Sequence, residues 1–523
     1  MEQSKLIEFL LNPASYPHKP KRVHHLQTHS SHVFIASPFV YKVKKPVNLG
    51  FLDFSTLEKR KHFCEKEVEL NRRLCDIYIE VEEISLRGDN LAFGKGDRTV
   101  EYAVKMKKLL DSRFLKNLLA KNKVDKDNLV RVVEKLVEFY KAQPREKHIN
   151  DFGTPERIRI NIDENFSLAK NFIGKTISPA AYGAIKFYDD MFFQNKSDLF
   201  RERIQKGFIK DCHGDLHLEH INLSPQAVCI YDCIEFNDRF RYIDIASDIA
   251  FLAMDLDFNG RSEFADFILS EISKRMDDKT IFEVIDFYKC YRAYVRGKVE
   301  SIKGHEPEVS EEDRKASREM AKKYFRLALK YSLFGSKPAF IVIFGLIGTG
   351  KSTLAEALSR ELSFEVISSD RVRKEITGAG FTEKRYEDFD KGMYSREVTE
   401  RTYREMLDRG KGVIRSRKSV ILDASFSKRR FRENVLNEAE RLGVQPYFIQ
   451  TGASVQTIKE RLIEREEAGT SISDGRWEIF ERFKEGFEEP DELPNSRHIV
   501  VNTDQPLEDI LVHTFTEIIR KGF

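Results

Sequence analysis

One octapeptide of this 523-residue chain, Gly345-Leu346-Ile347-Gly348-Thr349-Gly350-Lys351-Ser352, fits the phosphate-loop pattern G-x-x-x-x-G-K-[ST]. The glycines let successive backbone N–H groups turn inward around a polyphosphate. Lys351 then places a positive charge on the β and γ phosphates, and the Ser352 hydroxyl is a ligand for Mg2+. The apolar run 339–344 ahead of the loop reads as a buried strand. Residues from Thr353 to Leu358 continue as a helix whose N-terminal dipole faces the anion. Gly345, Gly348, Thr349, Gly350, Lys351, Ser352 and Thr353 are therefore the expected contacts to ATP.

Two further acids sit where such a site needs them. The segment 364–370 reads as a strand ending in Asp370, followed by Arg371 and Arg373, and 419–426 reads as a further strand with its acid at Asp423. Helical stretches at 397–407 and 430–442 alternate with these strands, which predicts a doubly wound parallel sheet with its ligands at the carboxyl ends of the strands. Arg461 and Arg465, four apart, share one helical face. Lys428, Arg429, Arg430 and Arg432 either bind an anionic acceptor or form the solvated start of a helix.

A second region, 210–253, is dense in unusual polar residues. It holds His213-Gly214-Asp215, then His217, His220 and Asn222, then an apolar strand carrying Asp232 and Glu235, then Asp244 and Asp248. Acidic side chains in apolar strands are costly unless paired or bound to metal, so a site is expected here too. His213, His217 and His220, at i, i+4 and i+7, also admit a zinc reading. Against it, the Gly214-Asp215 interruption argues for a loop, and the carboxylates suit magnesium.

The elements that must position these groups follow from periodicity. Segments at 32–36 and 38–43 predict an antiparallel hairpin. Ser55 with Glu58 predicts a capped helix running to about Cys75, and strands return at 77–86 and 99–106. Leu129, Val133, Leu136, Val137 and Tyr140 fall on one helical face. Ser310 and Asp313 start a long charged helix, stopped by Gly335 and Pro338, that lies just ahead of the phosphate-loop strand as a connector.

Length predicts two or three domains. A net charge of +3 with 33% charged residues mixes both signs, so nucleic acid would need a local patch. The six cysteines, with no CxxC, are expected to be buried reduced thiols. No apolar run reaches membrane-spanning length and the first residues lack a signal-peptide core, so a cytoplasmic location without membrane contact is expected.

Residues 1–334 resemble the aminoglycoside phosphotransferase and choline kinase branch of the protein-kinase-like fold, through His213-Gly214-Asp215, Ile234-Glu235-Phe236 and Asp248-Ile249-Ala250. The resemblance implies a bilobal α+β domain, with an N-lobe to about 107 and a C-lobe over 108–334, in which Asp215 is the catalytic base. It also implies Lys42 as the phosphate-contacting lysine and Glu67 as its partner, with Lys44 and Glu65 or Glu69 as alternatives, and Tyr102 to Met106 as the adenine hinge. The family's metal-binding Asn is His220 here, with Asn222 the nearest Asn. Its second metal position is Glu235, with Asp232 three residues earlier.

Residues 335–523 are similar to small P-loop kinases of the gluconate kinase, polynucleotide kinase and zeta-toxin type. That similarity implies an α/β P-loop domain in which Asp370 meets the acceptor hydroxyl, Asp423 helps hold Mg2+, and Arg461 and Arg465 close on the phosphates. The whole chain resembles bacterial aminoglycoside phosphotransferase/ATP-binding fusion proteins. The implied function is a two-site, ATP- and Mg2+-dependent kinase acting on small-molecule hydroxyls. Two alternatives stand beside it: a P-loop kinase regulated by a weakened kinase-like sensor, and a polynucleotide 5′-hydroxyl kinase.

Overall fold

The computed structural model describes residues 3–378, 392–468 and 477–523. The chain packs as two compact units, one of Met1–Ile160 with Asp198–Tyr288 and one of Asn161–Ser197 with Lys289–Phe523. Residues 161–197 and 289–334, which the sequence reading groups with the first domain, pack in the second unit.

In the first unit, β1 (His24–Gln27), β2 (Ser31–Ala36), β3 (Phe39–Lys44), β4 (Tyr78–Arg87), β5 (Asn90–Phe93) and β6 (Arg98–Lys107) form one antiparallel sheet in the order β1-β2-β3-β6-β4-β5. The expected hairpin is β2–β3, with Val33 opposite Lys42. The two-residue period of β3 sends Tyr41 and Val43 into an apolar cluster with Phe34, Ala36 and Ala103, and turns Lys42 and Lys44 to the opposite face. The helix Leu57–Arg72 is capped by Thr56, whose hydroxyl accepts the Lys59 N–H at 3.3 Å. This corrects the expected Ser55 cap: the helix begins one residue later, and Ser55 instead closes a turn in which its N–H and hydroxyl both donate to Asp53 Oδ1, at 3.0 and 2.5 Å.

The expected face of the helix Lys126–Ala142 is buried, Leu129, Val133, Leu136, Val137 and Tyr140 included. β7 (Ile209–Asp211), β8 (Ile221–Leu223), β9 (Val228–Ile230) and β10 (Tyr242–Asp244) then make two short antiparallel pairs, β7–β10 and β8–β9, which flank the polar loop 212–220. The helix Ile245–Phe258 that follows is buried almost all round.

Cysteine usage needs a correction. Cys75 and Cys229 are joined as a disulfide with Cα atoms 4.7 Å apart, while Cys64, Cys212, Cys233 and Cys290 are buried free thiols. The partners are separated by 154 residues, so spacing could not reveal the pair.

In the second unit, β11 (Ala339–Phe344), β12 (Glu365–Ser368), β13 (Val420–Asp423), β14 (Gln445–Gly452) and β15 (His498–Asn502) form a parallel sheet in the order β12-β13-β11-β14-β15. Every residue of the central β11 is buried, as its uninterrupted apolar run requires. The expected helices lie within Arg396–Arg415 and Arg429–Leu442. The helix Glu311–Phe334 begins at Ser310, whose hydroxyl accepts the Asp313 N–H, and ends at Gly335 with φ +66°. Its last residue, Phe334, packs edge-on to Tyr447 of β14, centroids 5.2 Å apart. Among the described residues no helix is long and apolar enough to cross a membrane.

Candidate functional site

The phosphate loop leaves β11 at Gly345, with φ +141°, and a Cβ there would lie 2.5 Å from the Thr451 carbonyl, so only glycine fits. Gly350, at φ +79°, starts the helix Lys351–Leu362, and a Cβ on it would come within 3.4 Å of Arg461 Nη1. Thr349 is buried and shares a 2.7 Å hydrogen bond with the Thr451 hydroxyl, whereas Ser352 and Thr353 are exposed. Lys351 Nζ donates to the Leu346 carbonyl at 2.7 Å, folded over its own loop.

Ser352 Oγ donates to Asp423 Oδ2 at 2.7 Å, which places a hydroxyl and a carboxylate together at the end of β13. Burial pushes the Asp423 carboxyl up to about 6, against the pull of the Lys351 ammonium and the Ser352 hydrogen bond. Burial also lowers the Lys351 ammonium below its ordinary value, partly offset by Asp423 and Asp370 and reinforced by Arg465. Asp370 lies in the first turn of the helix Ser369–Thr377 and accepts from Arg373 Nη1 at 3.4 Å. Two hard oxygen donors side by side fit Mg2+, and Ser352 with Asp423 would hold it. The ion would supply charge neutralisation at the phosphate oxygens.

Arg461 is aimed by Thr503, which sequence reading missed. Its Nη1 donates to Thr503 Oγ1 at 2.9 Å and its Nη2 to the Thr503 carbonyl at 2.7 Å. The basic cluster is matched by acids: Lys428 with Glu488, Arg429 with Glu433 and Asp491, Arg430 with Glu400, and Arg432 with Glu492.

In the first unit, the loop 212–220 is held from below by Asp248. Its Oδ2 accepts the His213 N–H at 3.0 Å and the Tyr140 hydroxyl at 2.8 Å, and its Oδ1 accepts the Gly214 N–H at 2.8 Å. Gly214 sits at φ +88° with the Phe240 carbonyl 2.7 Å from where a Cβ would be. His213 has both ring nitrogens engaged: Nε2 donates to the Tyr231 carbonyl at 2.9 Å and Nδ1 accepts the Asp215 N–H at 3.2 Å. It is a structural clamp of the loop. The expected helical face of three imidazoles does not form, because 213–217 is loop and only Leu218–His220 is a 3-10 turn.

The lysine alternatives resolve into one network. Glu67 is fully buried and pairs with both Lys42, at 2.9 Å, and Lys44, at 2.7 Å, while Glu65 and Glu69 are exposed. Lys42 reaches on to Asp232 Oδ1 at 2.6 Å and Lys44 to Glu235. Burial opposes the charge on Asp232, but Lys42 and His220 outweigh it and hold the carboxyl well below the usual carboxylate range. Burial raises the Glu235 carboxyl in spite of Lys44. Asp232 carries a left-handed backbone, φ +64°, a conformation that costs energy for a non-glycine residue and clusters at functional sites.

Asp215, His217 and His220 come together. Asp215 Oδ2 is 3.5 Å from His217 Nε2 and 3.6 Å from His220 Nδ1, and His220 Nε2 is 3.6 Å from Asp232 Oδ2. Burial pushes the His220 imidazole down to about 4, so it is neutral at physiological pH. Met106, expected at the hinge, is in the apolar cluster with Tyr78, Tyr102 and Val104. The expected strand stops short of these acids, because β9 ends at Ile230 and Asp232 turns left-handed; Asn71, which sequence reading passed over, accepts the Cys233 N–H at 2.8 Å and fixes the non-strand backbone between Asp232 and Glu235.

Compared with known proteins, residues 340–490 match the family model described as an AAA domain. An uncharacterized protein of Mycobacterium tuberculosis is 29% identical over 442 residues, which is 84% of this chain and 85% of the relative, and one of Mycobacterium bovis matches equally. Among solved structures, a gluconokinase from Sinorhizobium meliloti aligns with 21% identity and a TM-score of 0.26, over 35% of this chain and 93% of its own. A sugar kinase from Janibacter sp. aligns with 21% identity and a TM-score of 0.28, over 35% and 94%. The stretch 340–490, phosphate loop included, is thus a P-loop domain that matches the AAA-domain family.

Proposed function

We propose that the second unit is an ATP-dependent phosphotransferase acting on a hydroxyl of a small molecule. The observation that carries this reading is the pairing of Ser352 Oγ with Asp423 Oδ2 beside Lys351, with Asp370 in the first turn of the helix that follows the neighbouring β12. Binding of nucleotide alone needs the loop, its lysine and a metal-holding pair. A second acid just past the adjacent strand, in the first turn of the next helix, adds a group able to orient an acceptor hydroxyl and take its proton. Arg461, braced by Thr503 next to Gly350, would offset charge on the transferring phosphoryl group.

A small acceptor is favoured over an oligonucleotide because each cation of the 428–432 cluster has a carboxylate partner. The test is γ-phosphoryl transfer to a panel of sugars, sugar acids, aminoglycosides, nucleosides and 5′-hydroxyl oligonucleotides, with Asp370→Asn beside wild type. Product on a small hydroxyl compound that Asp370→Asn suppresses supports the reading. Product on oligonucleotides alone, or ATP hydrolysis that no acceptor stimulates, refutes it.

We infer a second nucleotide site in the first unit. Its supporting observation is the buried Lys42–Glu67 pair continued to Asp232, within a unit whose Asp215 loop is rigidly held by Asp248. Asp215→Asn should then remove one product and Lys351→Ala another. If Asp215→Asn leaves all turnover intact, the first unit is a sensor for the second.

A further inference from the structure

We propose that Asp215, His217 and His220 form a binding site for a divalent first-row transition metal of the zinc and cobalt type, with Asp232 as the adjoining carboxylate. One donor atom from each of the three residues lies within 4.8 Å of the others. Metal bonds of about 2.0–2.2 Å to nitrogen and oxygen place neighbouring donors roughly 3–3.5 Å apart. The 3.5 Å between Asp215 Oδ2 and His217 Nε2 and the 3.6 Å between His220 Nε2 and Asp232 Oδ2 are within a small adjustment of that spacing.

The arrangement is held before any ion arrives. Leu218 is fully buried and its N–H donates to Asp255 Oδ2 at 3.0 Å, which pins the turn that carries both imidazoles. The two rings lie side by side with centroids 3.9 Å apart, and His217 rests against Phe251 at 5.4 Å. His220 Nδ1 donates to the Asp215 carbonyl at 2.9 Å, so its lone pair is on Nε2, the nitrogen that faces Asp232. His217 Nδ1 accepts the Glu219 N–H at a long 3.3 Å, which puts its proton on Nε2 towards Asp215. Ligation through Nε2 moves that proton to Nδ1 and gives up the long hydrogen bond, with the ring neutral before and after.

Imidazole nitrogens select zinc-like ions over magnesium, which demands oxygen ligands. The site therefore takes a different metal from the Ser352–Asp423 pair and does not rest on the phosphotransfer reading of the second unit. It also has a consequence for the first unit. A carboxylate bound to metal cannot accept a hydroxyl proton, so metal at Asp215 and proton transfer to Asp215 exclude each other.

The test is a Co2+ titration of the full chain, disulfide intact and stripped of metal, without nucleotide and in excess Mg2+, followed by visible absorption. The expected result is one ion per chain, with ligand-field bands and no thiolate charge-transfer band. His220→Ala and His217→Asn should each weaken binding by more than ~100-fold, since loss of outer-shell partners alone costs ~10–100-fold. His217→Asn keeps an acceptor for the Glu219 N–H and carries the test should His220→Ala fail to fold. Lys351→Ala should bind Co2+ as wild type does. Absence of binding, a thiolate band, or binding that survives His217→Asn in a folded protein overturns the proposal, as does loss of binding in Lys351→Ala.

Discussion

Replacing Asp248 by Asn should loosen the 212–220 loop and destabilise the first unit at a cost that can be worked from three hydrogen bonds. The carboxylate is fully buried and accepts from the His213 N–H, the Gly214 N–H and the Tyr140 hydroxyl. An amide can supply one acceptor oxygen. Its NH2 then faces a donor, so one backbone N–H loses its partner and the other loses the charge that strengthened its bond. Hydrogen bonds to charged groups are worth about 1.5–3 kcal/mol and an orphaned buried donor costs about 1–3, so the total is about 4 kcal/mol. For a unit of this size that is a fall of roughly 8–16 °C in its melting transition. Tyr140→Phe removes one bond and leaves both backbone donors satisfied, and should cost about 1 kcal/mol. Calorimetry of the full chain reads the transition, and hydrogen exchange of the Gly214 amide reads the loop itself. An Asp248→Asn protein that melts with wild type and keeps a protected Gly214 amide would refute the assignment of Asp248 as the loop's anchor.

Three further outcomes follow from the same geometry. The His220 imidazole is lowered from 6.5 to about 4 in the fold, so the unfolded chain binds the extra proton first and stability falls as pH drops through that window. At about 1.4 kcal/mol per unit the loss approaches ~3 kcal/mol, and His220→Gln should flatten the pH dependence of urea midpoints between pH 6.5 and 4. Glu67→Ala removes the carboxylate shared by the nearly inaccessible Lys44 and the mostly buried Lys42, which keep Glu235 and Asp232, and should cost about 1.5–3 kcal/mol by denaturant unfolding, while exposed Glu65→Ala stays within about 0.5. Thr503→Val removes the hydroxyl that aims Arg461 and should lower kcat about 10-fold or more with KM for ATP little changed, measured by steady-state kinetics.

How much of this was legible in the sequence depends on the range of the signal. The phosphate loop, β11 and the alternation that builds the parallel sheet are local patterns, and the Ser352 hydroxyl that follows the loop lysine meets Asp423 at the end of β13. The hairpin β2–β3 and the buried face of Lys126–Ala142 were likewise written in short periodicities. What could not be read depends on distant partners. Lys42 and Lys44 share a strand face, so only the fold shows that both meet Glu67, and that Asp232 and Glu235 divide the two lysines between them. Thr503 is an ordinary residue in a loop until Arg461 is beside it. The Cys75–Cys229 bond has the same character, and the packing of 161–197 with the second unit depends on contacts such as Tyr188 with Phe523 rather than on any local pattern. His213 and His217 differ by one turn of loop. Position in the sequence made them equivalent ligand candidates, and only the hydrogen bonds of His213 remove it from the set.

The central claim is that the loop lysine beside the Ser352–Asp423 pair drives ATP turnover in the second unit. Its most direct test is ATP consumption by the full chain in Mg2+, wild type against Lys351→Ala, with melting curves showing both folded. The account expects Lys351→Ala to lose phosphoryl transfer by that unit by a factor of ~10³ or more, the scale at which charge stabilisation acts in such sites. A folded Lys351→Ala protein that turns over ATP to every product at the wild-type rate would contradict it.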